Sequence, residues 1–248
     1  LAALAPEGRV ELVYHGLDLN RFLPPPAKRV VRDGGDADEP VVILSVGRLV
    51  EKKGTDILLE ALARLPARLQ WRFVHIGGGP LKRALERRAR ELGVSDRIAW
   101  RGAQSQGEVL KAYRVADLFA LASRVARDGD RDGLPNVLVE AQSQGIACIA
   151  TSVSAIPELI RHDQTGVLVA PESPIELACA LEALIVDPAR RLALGEAGRI
   201  RVAAEFALEA NLDRLAHKFG LGKMGRMGSD QHFLEDRKLR QASPEMLI

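Results

Sequence analysis

Cysteine is scarce, with two residues in 248, and so are aromatics, which make up 4% of the chain. Two thiols cannot staple a secreted disulfide scaffold. Cys148 lies in an apolar run, IACIAT, and Cys179 on an apolar helical face. Both are therefore expected to be buried thiols of a reducing, cytoplasmic compartment. The five histidines are scattered and make no metal-ligand spacing, so no metal is expected. No apolar run is long enough to cross a bilayer, and no signal peptide is seen. A net charge of +2 argues against nucleic acid as the main partner. What is present is globular: 47% hydrophobic and 27% charged residues, enough for a sizeable core.

Apolar runs alternate with helical patterns, which predicts parallel βαβ units and an α/β, Rossmann-like sheet with helices on both faces. The strands are expected at Val41–Val46, Trp71–Ile76, Arg97–Trp100, Asp117–Ala122, Ile146–Ala150 and Gly166–Val169. Helices are expected between and after them, the last over Leu208–Phe219. Four regions follow. Residues 1–27 read as a strand over 9–16 and an extended crossover. Residues 28–40, rich in Asp and Gly, read as a loop or linker. Residues 41–220 form the main domain, and 221–248 a poorly ordered tail. A chain that opens at Leu1 in mid-pattern is expected to be a piece of a longer protein.

The stretch Ser123–Gly145, SRVARDGDRDGLPNVLVEAQSQG, organises the rest. A loop crowded with Asp, Arg and Gly leaves a buried strand. A helix is expected to begin at Pro135, whose fixed φ suits the first helical position. Asp132 precedes the helix, and Glu140 stands at the edge of a face formed by Val137, Leu138 and Ala141. Two carboxylates and several free N–H groups thus surround a helix N-terminus at the carboxyl end of a strand. Open α/β sheets bind ligands there, and the helix dipole favours an anion. Asp132 also has an ordinary reading as a helix cap, and Glu140 as a solvated edge residue. Asp128–Gly133 matches the opening of a calcium loop, but the twelfth position is Val139 instead of a bidentate Glu.

After the first strand, Gly47-Arg48-Leu-Val-Glu-Lys-Lys53-Gly54 places a guanidinium fork and an ammonium in one strand-to-helix loop. That pair suits a diphosphate, although two solvated loop cations would look the same. Gly77-Gly-Gly79-Pro80 is not a dinucleotide fingerprint, because the third glycine position is Lys82. Its glycines are expected to permit a tight turn and close backbone approach. The basic run Lys82–Arg90 reads as a solvated helix face.

Several stretches taken together resemble the retaining glycosyltransferases of family 4, the group 1 type with the GT-B fold. They are Val13-Tyr-His-Gly16-x-Asp18 through Phe22, Ser45-Val-Gly-Arg48 through Lys53-Gly54, Ile76-Gly-Gly-Gly-Pro80, Ala116-Asp117-Leu-Phe, Asp132-Gly-Leu-Pro through Glu140-Ala141, and Ile156-Pro-Glu158-Leu-Ile. They occur in the family's order over residues 9–219. The Asp-rich loop resembles the subgroup that builds exopolysaccharides such as colanic acid.

The resemblance implies the C-terminal, donor-binding half of such an enzyme. Arg48 and Lys53, beside Gly47, would hold the diphosphate of a UDP- or GDP-sugar and stabilise it as leaving group. Asp132 and the backbone of Gly133, Leu134, Pro135 and Asn136 would bind sugar hydroxyls and phosphate, and Glu140 the ribose. The Trp100-Arg101-Gly102 loop would lie near the base, and Glu158 is expected to be structural. Where the family has Glu, this chain has Asp132, one methylene shorter. No cofactor beyond the donor is implied. The acceptor, a glycan or lipid-linked chain, would be bound mainly by an N-terminal domain of which residues 1–20 look like the end. Peripheral membrane association would belong to the full-length protein. Apolar surface at both ends would lack its natural partner. Two other readings stay open: a nucleotide-sugar epimerase of the same architecture, and a truncated, non-catalytic nucleotide-binding remnant.

Overall fold

The computed structural model describes residues 13, 14, 16–22, 24–26 and 29–221. The strand expected over 9–16 falls mostly outside these residues, and the tail 222–248 entirely so. The chain divides into two units, Gly16–Leu208 and Leu1–His15 with Glu209–Ile248. To the second, the described residues contribute Val13, Tyr14 and nearly all of a C-terminal helix, Leu208–Lys218.

The larger unit is a six-stranded, wholly parallel sheet: β1 (Val41–Val46), β2 (Trp71–Ile76), β3 (Ile98–Trp100), β4 (Leu118–Leu121), β5 (Ala147–Thr151) and β6 (Val167–Val169). Its order is β3-β2-β1-β4-β5-β6. The helices are α1 (Thr55–Ala63), α2 (Lys82–Glu91), α3 (Gln106–Val115), α4 (Asn136–Ser143), α5 (Ile156–Leu159), α6 (Pro174–Ile185) and α7 (Pro188–Glu205), with α8 the C-terminal helix above. This is the expected Rossmann-like architecture.

The strands are continuous apolar runs because both sheet faces are covered. Alternate residues face opposite ways. Ile43, Leu118, Ala120 and Ile149 join one core with Leu58 and Leu62 of α1 and Leu181 of α6. On the other side, Phe119 meets Tyr113 of α3 at a ring separation of 5.9 Å, and α4 packs on α7. Burying each Leu or Ile here contributes about 1.5–3 kcal/mol against exposure. Cys148 is buried as expected. Cys179 is exposed, contrary to expectation: it stands on the outer side of α6, whose core face is Leu177, Ala178, Leu181 and Leu184.

Residues 29–40 carry no helix or strand, yet half-buried Arg29 and Arg32 and buried Arg191 tie them down. Arg29 donates to the carbonyls of Ala116 (2.7 Å) and Gln144 (2.6 Å). Arg32 pairs with Asp117 at 3.2 Å, and Asp117 accepts from Val42 N–H at 2.8 Å. Arg191 donates to Leu184 and Ile185 carbonyls, each at 2.7 Å, and to that of Arg32. These bonds lie at the amino ends of β1 and β4, away from the carboxyl ends, where open α/β sheets in general bind ligands.

Near those carboxyl ends, His75 of β2 is buried against Trp100, its Nε2 3.2 Å from the Gly47 carbonyl. Burial pushes its pKa down to about 4. The folded state therefore holds it neutral, whereas the unfolded chain takes up a proton near pH 6.5. Its stabilising effect is complete above pH 6.5 and is lost as pH falls toward 4, by about 3 kcal/mol in all. Asp117 and Glu140, whose pKa values burial raises, act in the opposite direction. Urea denaturation of wild type and His75→Gln between pH 4 and 7 isolates the effect: wild type should lose stability relative to the variant as pH falls.

Candidate functional site

The strand order reverses between β1 and β4, so the chain leaves these neighbours on opposite sides of the sheet and opens a crevice at their carboxyl ends. The loops out of β1 and β4 form its walls.

The β1 loop, Gly47–Gly54, is held by close backbone approach. A Cβ on Gly77 would come within 1.8 Å of the Gly47 carbonyl oxygen, and one on Gly79 within 2.5 Å of the Leu49 oxygen. A Cβ on Gly54, at φ +59°, would lie 1.8 Å from the Ala122 oxygen at the end of β4. Only glycine fits such contacts. Gly47 N–H donates to Ile76 and Leu49 N–H to Gly78, each at 2.9 Å. The three-glycine turn is thus a backbone seat for the β1 loop, as its composition predicts.

The β4 loop crosses to the same place. Arg124 N–H donates to the Lys52 carbonyl at 2.9 Å, and Arg124 Nη2 pairs with Asp56 at 3.0 Å. Lys53 Nζ sits 2.6 Å from Asp132 Oδ2. Lys52 Nζ lies 3.1 Å from Asp130 Oδ1 and 3.5 Å from Asp132 Oδ1. Asp130 and Asp132 are thus directed at lysines, and Asp128 Oδ1 accepts from Asp130 N–H. The calcium-like spacing of this loop serves loop pairing. Among the described residues, no group of three or more His, Cys, Asp or Glu could hold a metal.

Helix α4 begins at Asn136, one residue later than the sequence predicts. Pro135 is its N-cap, extended at φ −68° and ψ 116°, and makes no side-chain cap bond. Asp132 therefore does not cap the helix, because its carboxylate goes to the lysines. Val139, more than Val137, shares the buried face with Leu138 and Ala141. The helix closes on Gly145 at φ +68°, a left-handed conformation that suits glycine.

Glu140 is half-buried, and the hydroxyl of fully buried Tyr113 donates to its Oε2 at 3.0 Å. Burial raises the Glu140 pKa, opposed by the Tyr113 hydrogen bond and by the charge of Arg21. Arg21 itself donates to Gln106 Oε1 at 2.7 Å. Arg48 is exposed, without a side-chain partner among the described residues. Gly133 and Leu134 lie between the lysine-bound Asp132 and the helix start.

The Arg101–Gly102 turn is tied beside Gly77: Arg101 N–H donates to the His75 carbonyl at 2.9 Å, and Gly77 N–H to that of Gly102 at 2.8 Å. Strand β2 separates it from the cationic loop after β1, and Arg101 is exposed. Glu158, on α5, accepts at its backbone carbonyl from Arg201 at 2.8 Å. Two cavities lie elsewhere. A small one lies beside Arg29, Asp117 and Arg191, and another of about 270 Å³ beside Phe22, Pro24, Gln144 and Val202. Arg48, Lys53 and Asp132 line neither.

The geometry joins Lys53 to Asp132 directly and holds Arg48 in the same loop, with Glu140 on the next helix. Lys52 and Tyr113 were not singled out by the sequence. Lys52 is one of two adjacent lysines with no local cue to separate them. Tyr113 sits 27 residues before Glu140, and only the packing of α3 against α4 brings them together.

The family model for "Glycosyl transferases group 1" matches residues 28–201. The chain belongs to the group 1 glycosyltransferases. It is 33% identical over 218 residues to the GDP-mannose-dependent alpha-(1-6)-phosphatidylinositol monomannoside mannosyltransferase of Mycobacterium tuberculosis, covering 87% of this chain and 57% of that one. It is 34% identical over 179 residues to the putative colanic acid biosynthesis glycosyltransferase WcaL of Escherichia coli, covering 72% and 42%. It thus spans about half the length of these relatives. Among solved structures, the C-terminal domain of the group 1 glycosyltransferase LpcC from Francisella tularensis aligns over its whole length. That match covers 78% of this chain, with a TM-score of 0.66 and 28% identity. Sucrose-phosphate synthase from Thermosynechococcus elongatus aligns over 83% of this chain and half of its own, with a TM-score of 0.69 and 28% identity.

In this glycosyltransferase domain, Tyr113→Phe leaves the half-buried Glu140 carboxylate short of a donor. It should cost about 1–3 kcal/mol of stability at pH 7. The cost should shrink as pH falls toward 4, because burial raises the Glu140 pKa and the carboxyl takes up a proton on the way. Urea titrations at the two pH values measure it.

Proposed function

We propose that this domain binds the nucleotide-sugar donor of a retaining glycosyltransferase, which moves a hexose from a UDP- or GDP-sugar to a glycan or lipid-linked acceptor. The observation that carries the reading is the meeting of Lys53 with Asp132 at the crevice between β1 and β4, with Arg48 exposed in the same loop. Two relatives support the substrate class: the name of one specifies GDP-mannose and a phosphatidylinositol monomannoside, and that of the other colanic acid biosynthesis.

In this reading Arg48 grips the diphosphate as a planar fork and Lys53 as a point charge. The uncapped N-terminus of α4 adds N–H groups and the positive end of its dipole. When the bond between the anomeric carbon and the phosphate oxygen breaks, its electron pair stays on that oxygen. The fixed cations stabilise the charge that develops there. Glu140, oriented by Tyr113, accepts from the ribose hydroxyls, and Asp132 accepts from sugar hydroxyls. The Trp100–Gly102 loop borders the base, and Glu158 stays structural. Within the stretch 1–27, the described residues 16–22 and 24–26 belong to the crossover toward an acceptor-binding domain. They are anchored where Leu17 N–H donates to Phe206 at 2.7 Å and Leu208 N–H to Leu17 at 3.0 Å.

Calorimetric titration with UDP and GDP tests the reading. One of them should bind, and Arg48→Ala and Lys53→Ala should each weaken it about tenfold or more, the scale of one charge-assisted contact. Binding of neither nucleotide, or variants that bind as well as wild type, would remove the cationic clamp from the site. Transfer by this chain alone should be negligible, because the acceptor must be positioned by other residues. A radiolabelled-donor assay measures that.

A further inference from the structure

Lys53 already has an anion on it. Its ammonium lies 2.6 Å from Asp132 Oδ2, and the two side chains are only 14% and 17% exposed. A phosphate oxygen arriving at Lys53 would stand within a few ångströms of this carboxylate, and at that range like charges repel strongly outside bulk water. Asp132 must therefore turn away before a diphosphate can seat fully.

The rest of the loop allows that turn. It is fastened by Arg124 N–H on the Lys52 carbonyl (2.9 Å), by Arg124 Nε on the Glu51 carbonyl (3.1 Å) and by Arg127 N–H on Glu51 Oε1 (3.3 Å). None of these bonds uses Asp132 or Lys53. Lys52 stays with Asp130 at 3.1 Å, so the loop keeps that cation–carboxylate tie while Asp132 leaves Lys53 and its longer, 3.5 Å contact with Lys52.

Resting on the donor-site reading above, we infer that Asp132 is an internal competitor for the diphosphate, and that its exchange off Lys53 makes the site favour the intact nucleotide-sugar over the nucleoside diphosphate product. The intact donor brings sugar hydroxyls, which donate to the freed carboxylate and replace Lys53 as its partner. The product lacks the transferred sugar and its hydroxyls, and it carries an additional negative charge on its terminal phosphate. With no sugar hydroxyl to draw it away, Asp132 returns to Lys53 and opposes the product. Asp132 thereby determines specificity twice, by what it accepts from the sugar and by what it denies the diphosphate.

Titrations of this chain with UDP, GDP, UDP-glucose and GDP-mannose test the exchange. Asp132→Asn keeps the shape and removes the charge, and Asp132→Ala serves should the first fold poorly. Either should bind the diphosphate roughly three- to tenfold more tightly than wild type. Neither should bind the nucleotide-sugar more tightly, so the preference for donor over product falls by the same factor. Asp130→Asn, which leaves the Lys53 pair intact, should move diphosphate affinity less than twofold. Unchanged or weaker diphosphate binding by the Asp132 variants, with Lys53→Ala still reducing wild-type binding, would overturn the exchange and leave the donor site standing. No binding of either diphosphate by wild type would remove both.

Discussion

Everything at the functional end follows from where the strand order turns around. Strand β1 pairs with β2 on one side and β4 on the other, in parallel register on both. The connections leaving β1 and β4 must therefore part, one over each face of the sheet. Parting leaves a crevice whose walls are loops, and loops at that position carry whatever residues the sequence assigns without disturbing the core. The core alternation of Ile43, Leu118 and Ile149 against Leu44, Phe119 and Cys148 fixes the walls in space. A one-residue slip would exchange the two sets and bring every helix to the wrong side.

The walls are rigid for a backbone reason. Gly54 lies against Ala122, Gly77 against Gly47 and Gly79 against Leu49, all at distances a methyl group cannot enter. Three main-chain contacts thus lock the cationic loop between its two neighbours. His75, kept neutral by burial, adds a bond to the Gly47 carbonyl. Arg48 can remain exposed without wandering because the loop beneath it is seated on two sides.

Much of this was legible in the sequence because the signals were local. Apolar runs of strand length, helical spacing and glycine-rich turns gave six strands and the main helices nearly in place. The loops with Arg48, Lys53 and Asp132 could be assigned to strand ends by order alone. What escaped depended on tertiary packing. A Pro after a polar loop suits either N1 or N-cap, and only the ψ of Pro135 decides. Cys179 lies in the apolar stretch of α6, but that helix has one core face and the thiol is on the other. Tyr113 looked like an ordinary helix residue until α3 met α4. The arginines at 29, 32 and 191 had no pattern: Arg29 reaches carbonyls far along the chain, Arg32 the Asp117 carboxylate, and Arg191 the carbonyls of Leu184, Ile185 and distant Arg32.

The two carboxylates flanking α4 show how environment separates residues of one chemistry. Asp132 lies among lysines on a loop with few constraints, and its charge is answered by cations that a phosphate would also seek. Glu140 lies against a tyrosine on a packed helix, and its charge is answered by a neutral hydroxyl that no anion displaces. The first is an arm that must change partners if the crevice takes a phosphate. The second is already aimed and keeps Oε1 for a further donor. A site that grips one end of a ligand firmly and trades contacts at the other needs such an asymmetry, and here it follows from what surrounds each carboxylate.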